Sequence, residues 1–187
     1  MTLLAIVFVL VIISWIIGNI TSGLCVKCAS DLIEKGKTSL GESFNFTVYK
    51  LPSLLIATLI VGILTVIGLL ALIVPGIILH IMFYLVVPAI IIENIGVFDS
   101  LSRSRKLVSN RWLKTFVLAL IVYLIIGIAA FVVSLITAPF GIYSSLVGSI
   151  ITALIQPILP ISLTVYYYSM SAKEEQRRIL PPPPPPF

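Results

Sequence analysis

The chain has 187 residues, 59% of them hydrophobic and 10% charged, and its mean hydropathy of +1.20 excludes a water-soluble globular domain. Twelve Lys and Arg against seven Asp and Glu give a net charge of +5, but these cations are confined to three short blocks, so no nucleic-acid surface is expected. The class that remains is an all-α integral membrane protein, here a polytopic bundle of five transmembrane helices with two cytoplasmic amphipathic elbow helices.

Leu3 to Ile20 is apolar throughout, with no preceding Lys or Arg and no small-residue cleavage site, so a retained first span over about 3–20 is expected. A helix of about 18 residues nearly matches a hydrocarbon core of ~30 Å. Beyond it Leu24, Cys28 and Leu32 recur every fourth residue and predict that the helix continues, with this stripe facing protein or headgroups, until Gly36. Cys25 and Cys28 share a helical face; without a second pair of ligands they supply no metal site, and packing is the expected role. Ser39-Leu-Gly-Glu42 fits a capping box, and Phe44, Val48 and Leu51 continue one face, predicting a short surface helix that ends before Pro52.

Leu51 to Ile92 carries no Asp, Glu, Lys or Arg, and Val74-Pro75-Gly76 divides it into antiparallel spans over about 52–73 and 77–92. Glu93 to Lys114 holds five basic residues, Arg103, Arg105, Lys106, Arg111 and Lys114, while Val97, Leu101, Ser104 and Val108 form one stripe, as in an interfacial helix. Thr115 to Ala172 is again free of these charges and turns at Ala138-Pro139-Phe140-Gly141, giving spans over about 113–137 and 144–170. Trp112 and Tyr166 to Tyr168 fall where an inner aromatic belt belongs, Phe140 and Tyr143 where an outer one does. Residues 1–172 thus form the membrane domain, and 173–187 a basic tail ending in six prolines and Phe187, a polyproline II rod of about 19 Å suited to an aromatic-lined groove on a protein partner.

All 12 Lys and Arg lie in 21–50, in 93–114 or from 173 onward, and the turns at 75 and 139 have none. By the positive-inside rule the protein is a multi-pass protein of the cell membrane with its N-terminus outside and its C-terminus cytoplasmic. Asn19-Ile-Thr21 and Asn45-Phe-Thr47 then face the cytoplasm, and their match to glycosylation acceptors is fortuitous. A weak internal repeat accompanies this topology: Ser39-Leu40 with Ser43 and Ser100-Leu101 with Ser104 each open an elbow, a span, a Pro/Gly turn and a returning span.

The span interiors hold no Asp, Glu, Lys or Arg, which argues against proton pumping and carboxylate catalysis. Glu93, at the inner boundary, is expected to pair with Arg103 or Arg105 and, with Gly96 and Ser104, to clamp the second elbow while its basic face meets anionic headgroups. Gln156, Pro157 and Pro160 put an amide beside freed carbonyls in the last span and, with His80, are the candidates for a polar cavity. Ser144, Gly148 and Thr152 give a small-residue face for helix packing. His80 with Ser144, Ser145 or Ser149 is the only arrangement that would suit a nucleophile and base.

The stretch Pro88-Ala-Ile-Ile-Ile-Glu93-Asn-Ile-Gly96, followed by Ser100-Leu101, Ser104 and Leu107 and preceded by Leu-Ile-Val-Pro75-Gly76-Ile-Ile, resembles the membrane domain attached to some glycerophosphoryl diester phosphodiesterases and its stand-alone archaeal and bacterial relatives. The resemblance covers about residues 39–135. It implies a polytopic helical domain without catalysis of its own, for the metal-dependent chemistry of the fused relatives belongs to a separate barrel. Such relatives usually have six spans rather than five. The expected function is therefore non-enzymatic and cofactor-free: a scaffold, membrane-organising module or accessory subunit bound to the lipid bilayer. A permease for a small or amphiphilic solute is the alternative, and an intramembrane hydrolase the third reading.

Overall fold

A computed structural model describes residues 2–109 and 111–179, and all regular elements among them are helical. Helix α1 (Thr2–Lys35) carries the first span and its extension as one rod. From Leu4 to Trp15 every residue is exposed, whereas Asn19, Gly23, Val26 and Ser30 are buried. Leu24 and Cys28 are half-buried and Leu32 is 53% exposed, so that stripe lies beside the buried face. Its position follows from the smallest residue, because a Cβ on Gly23 would stand 2.7 Å from Cγ2 of Thr47 on the next helix. Close backbone approach at this glycine decides which face packs.

Helix α2 (Leu40–Ala71) runs unbroken through Pro52, so the surface helix expected to stop there is continuous with the second span. Pro52 lies on an exposed side of the helix, away from the α1 contact. Ser39 occupies the N-cap, but its hydroxyl makes no cap bond, and the capping box is not formed. The chain then reverses at the single extended residue Leu72 and re-enters α3 (Ile73–Met82) at once, four residues before the expected 77. Pro75 is tolerated because it lies in the first turn, where amides have no helical partner. Two glycines permit the reversal: a Cβ on Gly68 would meet Cα of Gly76 at 2.8 Å, and one on Gly76 would meet the Leu69 amide nitrogen at 2.6 Å.

The third span is interrupted at Phe83 to Leu85 and resumes as α4 (Val86–Ile92). Pro88 is the physical cause, since its ring collides with the carbonyl four residues back, that of Tyr84. Helix α5 (Val97–Ser109) covers the stretch expected as the second elbow, and α6 (Trp112–Thr137) that expected as the fourth span. A 3-10 segment over Ala138–Tyr143, turning at Gly141 (φ 55°), leads to α7 (Ser144–Ile155). The last span breaks at Gln156 and Pro157 and continues as α8 (Ile158–Ile179), so residues 173–179, expected to be tail, extend the helix. The side chain of Phe140, of the outer aromatic belt, and the polyproline run from 181 lie outside the described residues.

Helix α4 occupies the centre: Val86, Ala89, Ile90 and Ile91 are no more than 2% exposed. One cluster packs Val26, Leu54 and Ala57 against it, and a second joins Leu85, Leu107, Val108, Leu163 and Tyr167. Five helical stretches are long and apolar enough to cross a membrane: Leu4–Lys35, Leu40–Ala71, Ile73–Ile92, Trp112–Thr137 and Ser144–Gln176.

Candidate functional site

Charged residues of α1, α5 and α8, with Glu93 just after α4, form two ion-paired clusters at one end of the bundle. In the first, Asp31 is only 5% exposed and accepts hydrogen bonds from Lys27 Nζ at 3.1 Å and Lys35 Nζ at 2.9 Å. Ser43 of α2 approaches its other oxygen at 3.5 Å. Tyr168 of α8 lies 2.7 Å from the Ser30 hydroxyl and donates a short hydrogen bond to Glu34, fastening α8 to α1. The sequence reading overlooked this cluster, although Lys27, Asp31 and Lys35 at spacings of four announce a carboxylate flanked by cations on one helix face.

In the second cluster Arg103 of α5 donates from Nε to Glu93 at 2.8 Å and from a terminal nitrogen to Glu174 of α8, and Lys106 also reaches Glu174 at 3.3 Å. Burial opposes the charge on Arg103, but Glu93 and Glu174 outweigh that penalty and hold the guanidinium above its ordinary pKa. Arg105 is exposed and has no carboxylate partner among the described residues, so the Glu93 pairing is made by Arg103. Gly96 accepts the Ser100 amide at 3.0 Å through its carbonyl; a Cβ there would meet nothing closer than 3.7 Å, so no contact demands glycine.

Ser104 has a structural task of its own. Fully buried, its hydroxyl donates to the Met82 carbonyl at 2.8 Å and accepts the Leu85 amide at 3.2 Å, satisfying two backbone groups released by the break between α3 and α4. The elbow is thereby fixed to the interrupted span by a polar plug as well as by ion pairs.

A second candidate site is a cavity of about 400 Å³ between α1, α2, α4 and the α7–α8 break, lined by Trp15, Asn19, Thr58, Val87, Gln156 and Pro160 among others. Asn19 donates to the Trp15 carbonyl at 2.9 Å, and Thr58 lies 3.1 Å from its oxygen. Pro157 and Pro160 cannot donate to the carbonyls of Ala153 and Gln156, which leaves acceptors beside this space. His80 and Pro157 do not line it; His80 instead packs on Tyr84 with ring centroids 5.7 Å apart. Ser144, Gly148 and Thr152, with Ser145 and Ser149, face α6 across a separate gap of about 310 Å³ that does not include His80. Cys25 and Cys28 are free, half-buried thiols.

Fold and sites together define a helical protein with five membrane-length apolar helices and its paired charges gathered at one end. The chain belongs to a family described as a domain of unknown function (DUF7847), whose model matches residues 1–170. That description makes no link to the phosphodiesterase membrane domain that the Pro88 to Leu107 signature resembles. No curated protein and no solved structure matches the chain.

Proposed function

We propose that this protein is a non-catalytic, multi-pass protein of the cell membrane, N-terminus outside and C-terminus cytoplasmic, that serves as a membrane-organising or accessory module. Its two elbow regions lie along anionic headgroups, and its polyproline tail offers a ligand to a protein partner. The observation that carries this reading is the Glu93–Arg103–Glu174 network, which ties the basic elbow α5 to α4 and α8 at the end of the bundle where the positive-inside rule puts the cytoplasm. Such a network holds a cationic helix at a fixed height, as a module that reads or gathers anionic lipid requires.

The test is accessibility in intact cells. With Cys25 and Cys28 replaced by Ser, an impermeant thiol reagent added outside is expected to label Leu72→Cys and to spare Lys106→Cys. The reverse pattern would overturn the orientation. Affinity purification in mild detergent with and without residues 181–187 tests the module: a stoichiometric partner lost with the tail supports it, and a monomer unaffected by truncation opposes it.

The Gln156 cavity favours a second reading, in which the protein admits a small uncharged or amphiphilic solute. Gln156→Leu would then abolish solute co-purification while leaving topology unchanged.

A further inference from the structure

Helices α6 and α8 diverge along one side of the bundle and leave an apolar groove of about 750 Å³ between them. Val117 and Ile121 form one wall, Ile161 and Val165 the other, while Lys114 and Ser169 stand at one mouth. From Leu113 to Val122 the groove follows about 13 Å of helix rise. Near the mouth Tyr166 lines the groove, its hydroxyl 3.0 Å from that of the buried Thr115. The groove is therefore long and mostly apolar, with Lys114, Tyr166 and Ser169 toward one end and Ser162 toward the other.

The charges around that mouth differ from those of the two clusters described above. Lys27, Lys35, Arg103 and Lys106 all have carboxylate partners. Arg111, Lys114 and Lys173 have none among the described residues; Arg111 reaches only the Met170 sulfur, at 3.9 Å. Arg111 immediately precedes α6 and Lys114 lies in its first turn, while Lys173 follows Ser169 by one turn of α8. Three cations without a carboxylate partner among the described residues, beside an apolar slot, complement a molecule with an anionic head and a hydrocarbon chain.

We infer that the α6–α8 groove is a binding site for one anionic phospholipid, with an acyl chain between Val117, Ile121, Ile161 and Val165 and the phosphate at Lys114, Ser169 and the neighbouring Arg111 and Lys173. The inference rests on the membrane-spanning reading, and carbonate extraction tests that reading separately: a protein released without detergent would refute the membrane assignment itself, whatever its lipid content.

The experiment is native mass spectrometry of the full chain, delipidated and then offered phosphatidylglycerol, phosphatidylcholine or water-soluble glycerol phosphate. One bound phosphatidylglycerol per chain is expected, with weaker phosphatidylcholine and no retained glycerol phosphate. K114Q should lower the preference for phosphatidylglycerol about fivefold, the equivalent of the ~1 kcal/mol that one cation near such a surface contributes. K37Q, which alters an exposed cation between α1 and α2, should leave it unchanged. Ser162→Phe, which narrows the groove without touching the cations, should reduce retention of both lipids. Equal loss in K37Q and K114Q would show general charge attraction and overturn the site, as would retention of glycerol phosphate as strong as that of the lipid. A disulfide between copies carrying Ile121→Cys in the Cys25→Ser, Cys28→Ser background would assign the groove to a second chain instead.

Discussion

Residues 39–92 and 100–170 open with the same signals, Ser-Leu and then Ser four positions after the first, yet they fold differently. In the first unit elbow and span are one helix, the reversal takes one residue, and the returning limb is the best-buried span, with 44% of its most apolar window covered. In the second the elbow is a separate helix, the reversal takes the six residues Ala138–Tyr143, and the returning limb is only 11% covered. Apolar content does not explain this, for all four limbs are strongly apolar. The difference lies in where small and polar groups meet. Gly68 meets Gly76 in the first hairpin and Ser104 enters the α3–α4 break, whereas the second hairpin has no contact between glycines. In oil, helices pack where backbones approach or hydrogen bonds close, and elsewhere they face lipid.

Breaking the tight hairpin should have the largest effect. Gly76→Leu forces a side chain into space already filled by the Leu69 backbone, and overpacking of this kind costs about 3 kcal/mol. The expected outcome is a sharply lowered thermal midpoint in mild detergent; an unchanged midpoint would mean that α2 and α3 do not touch at these glycines. Next comes the contrast between the paired serines. Ser104→Ala strands the Met82 carbonyl and the buried Leu85 amide and should cost roughly 2 kcal/mol. Ser43→Ala loses only a 3.5 Å contact to Asp31, so about 0.5 kcal/mol is expected. Equal losses would show that the two elbows are held alike.

The ion-pair network ranks third. Arg103, Glu93 and Glu174 retain 20–30% of side-chain exposure (21%, 30% and 22%), and a network so open to water stabilises by about 1 kcal/mol. Arg103→Gln should leave the spans intact while speeding protease cleavage between 93 and 111. Cleavage at the wild-type rate would reduce the network to a surface decoration and remove the main support for a fixed elbow.

How much of this was legible beforehand follows the same division. Uninterrupted apolar runs were sufficient to number the five membrane-length helices, because length against bilayer thickness is a one-dimensional property of a sequence. Pro52 misled because a long apolar helix can carry a proline through its interior, giving up one backbone hydrogen bond without ending. Pro88 and Pro157 mark interruptions inside spans, but only the fold reveals that Ser104 fills one break while Gln156 at the other borders a cavity. The Leu24–Cys28–Leu32 stripe could be placed against protein or headgroups without a choice between them, because periodicity locates a face by hydrophobicity, whereas the close approach at Gly23 sets the buried one. The Gln156 cavity was half legible: its amide and Pro160 could be named from the last span, but Asn19 and Thr58 come from helices about a hundred residues earlier in the chain.

The smallest expected effect sharpens the comparison most, because its sign should reverse between the two hairpins. Gly148 of α7 faces Thr137 of α6, and a Cβ there would lie 3.6 Å from the Thr137 hydroxyl, an ordinary contact. Nothing in that contact needs glycine, while glycine in a helix interior costs about 0.5–1 kcal/mol relative to alanine. Gly148→Ala should therefore raise the thermal midpoint slightly, by the equivalent of about 0.5 kcal/mol, where Gly76→Leu collapses it. The same unfolding assay in detergent reads both. A loss above about 1 kcal/mol for Gly148→Ala would mean that α6 and α7 close more tightly than the gap between them suggests, and that the second hairpin, like the first, is joined through its glycines.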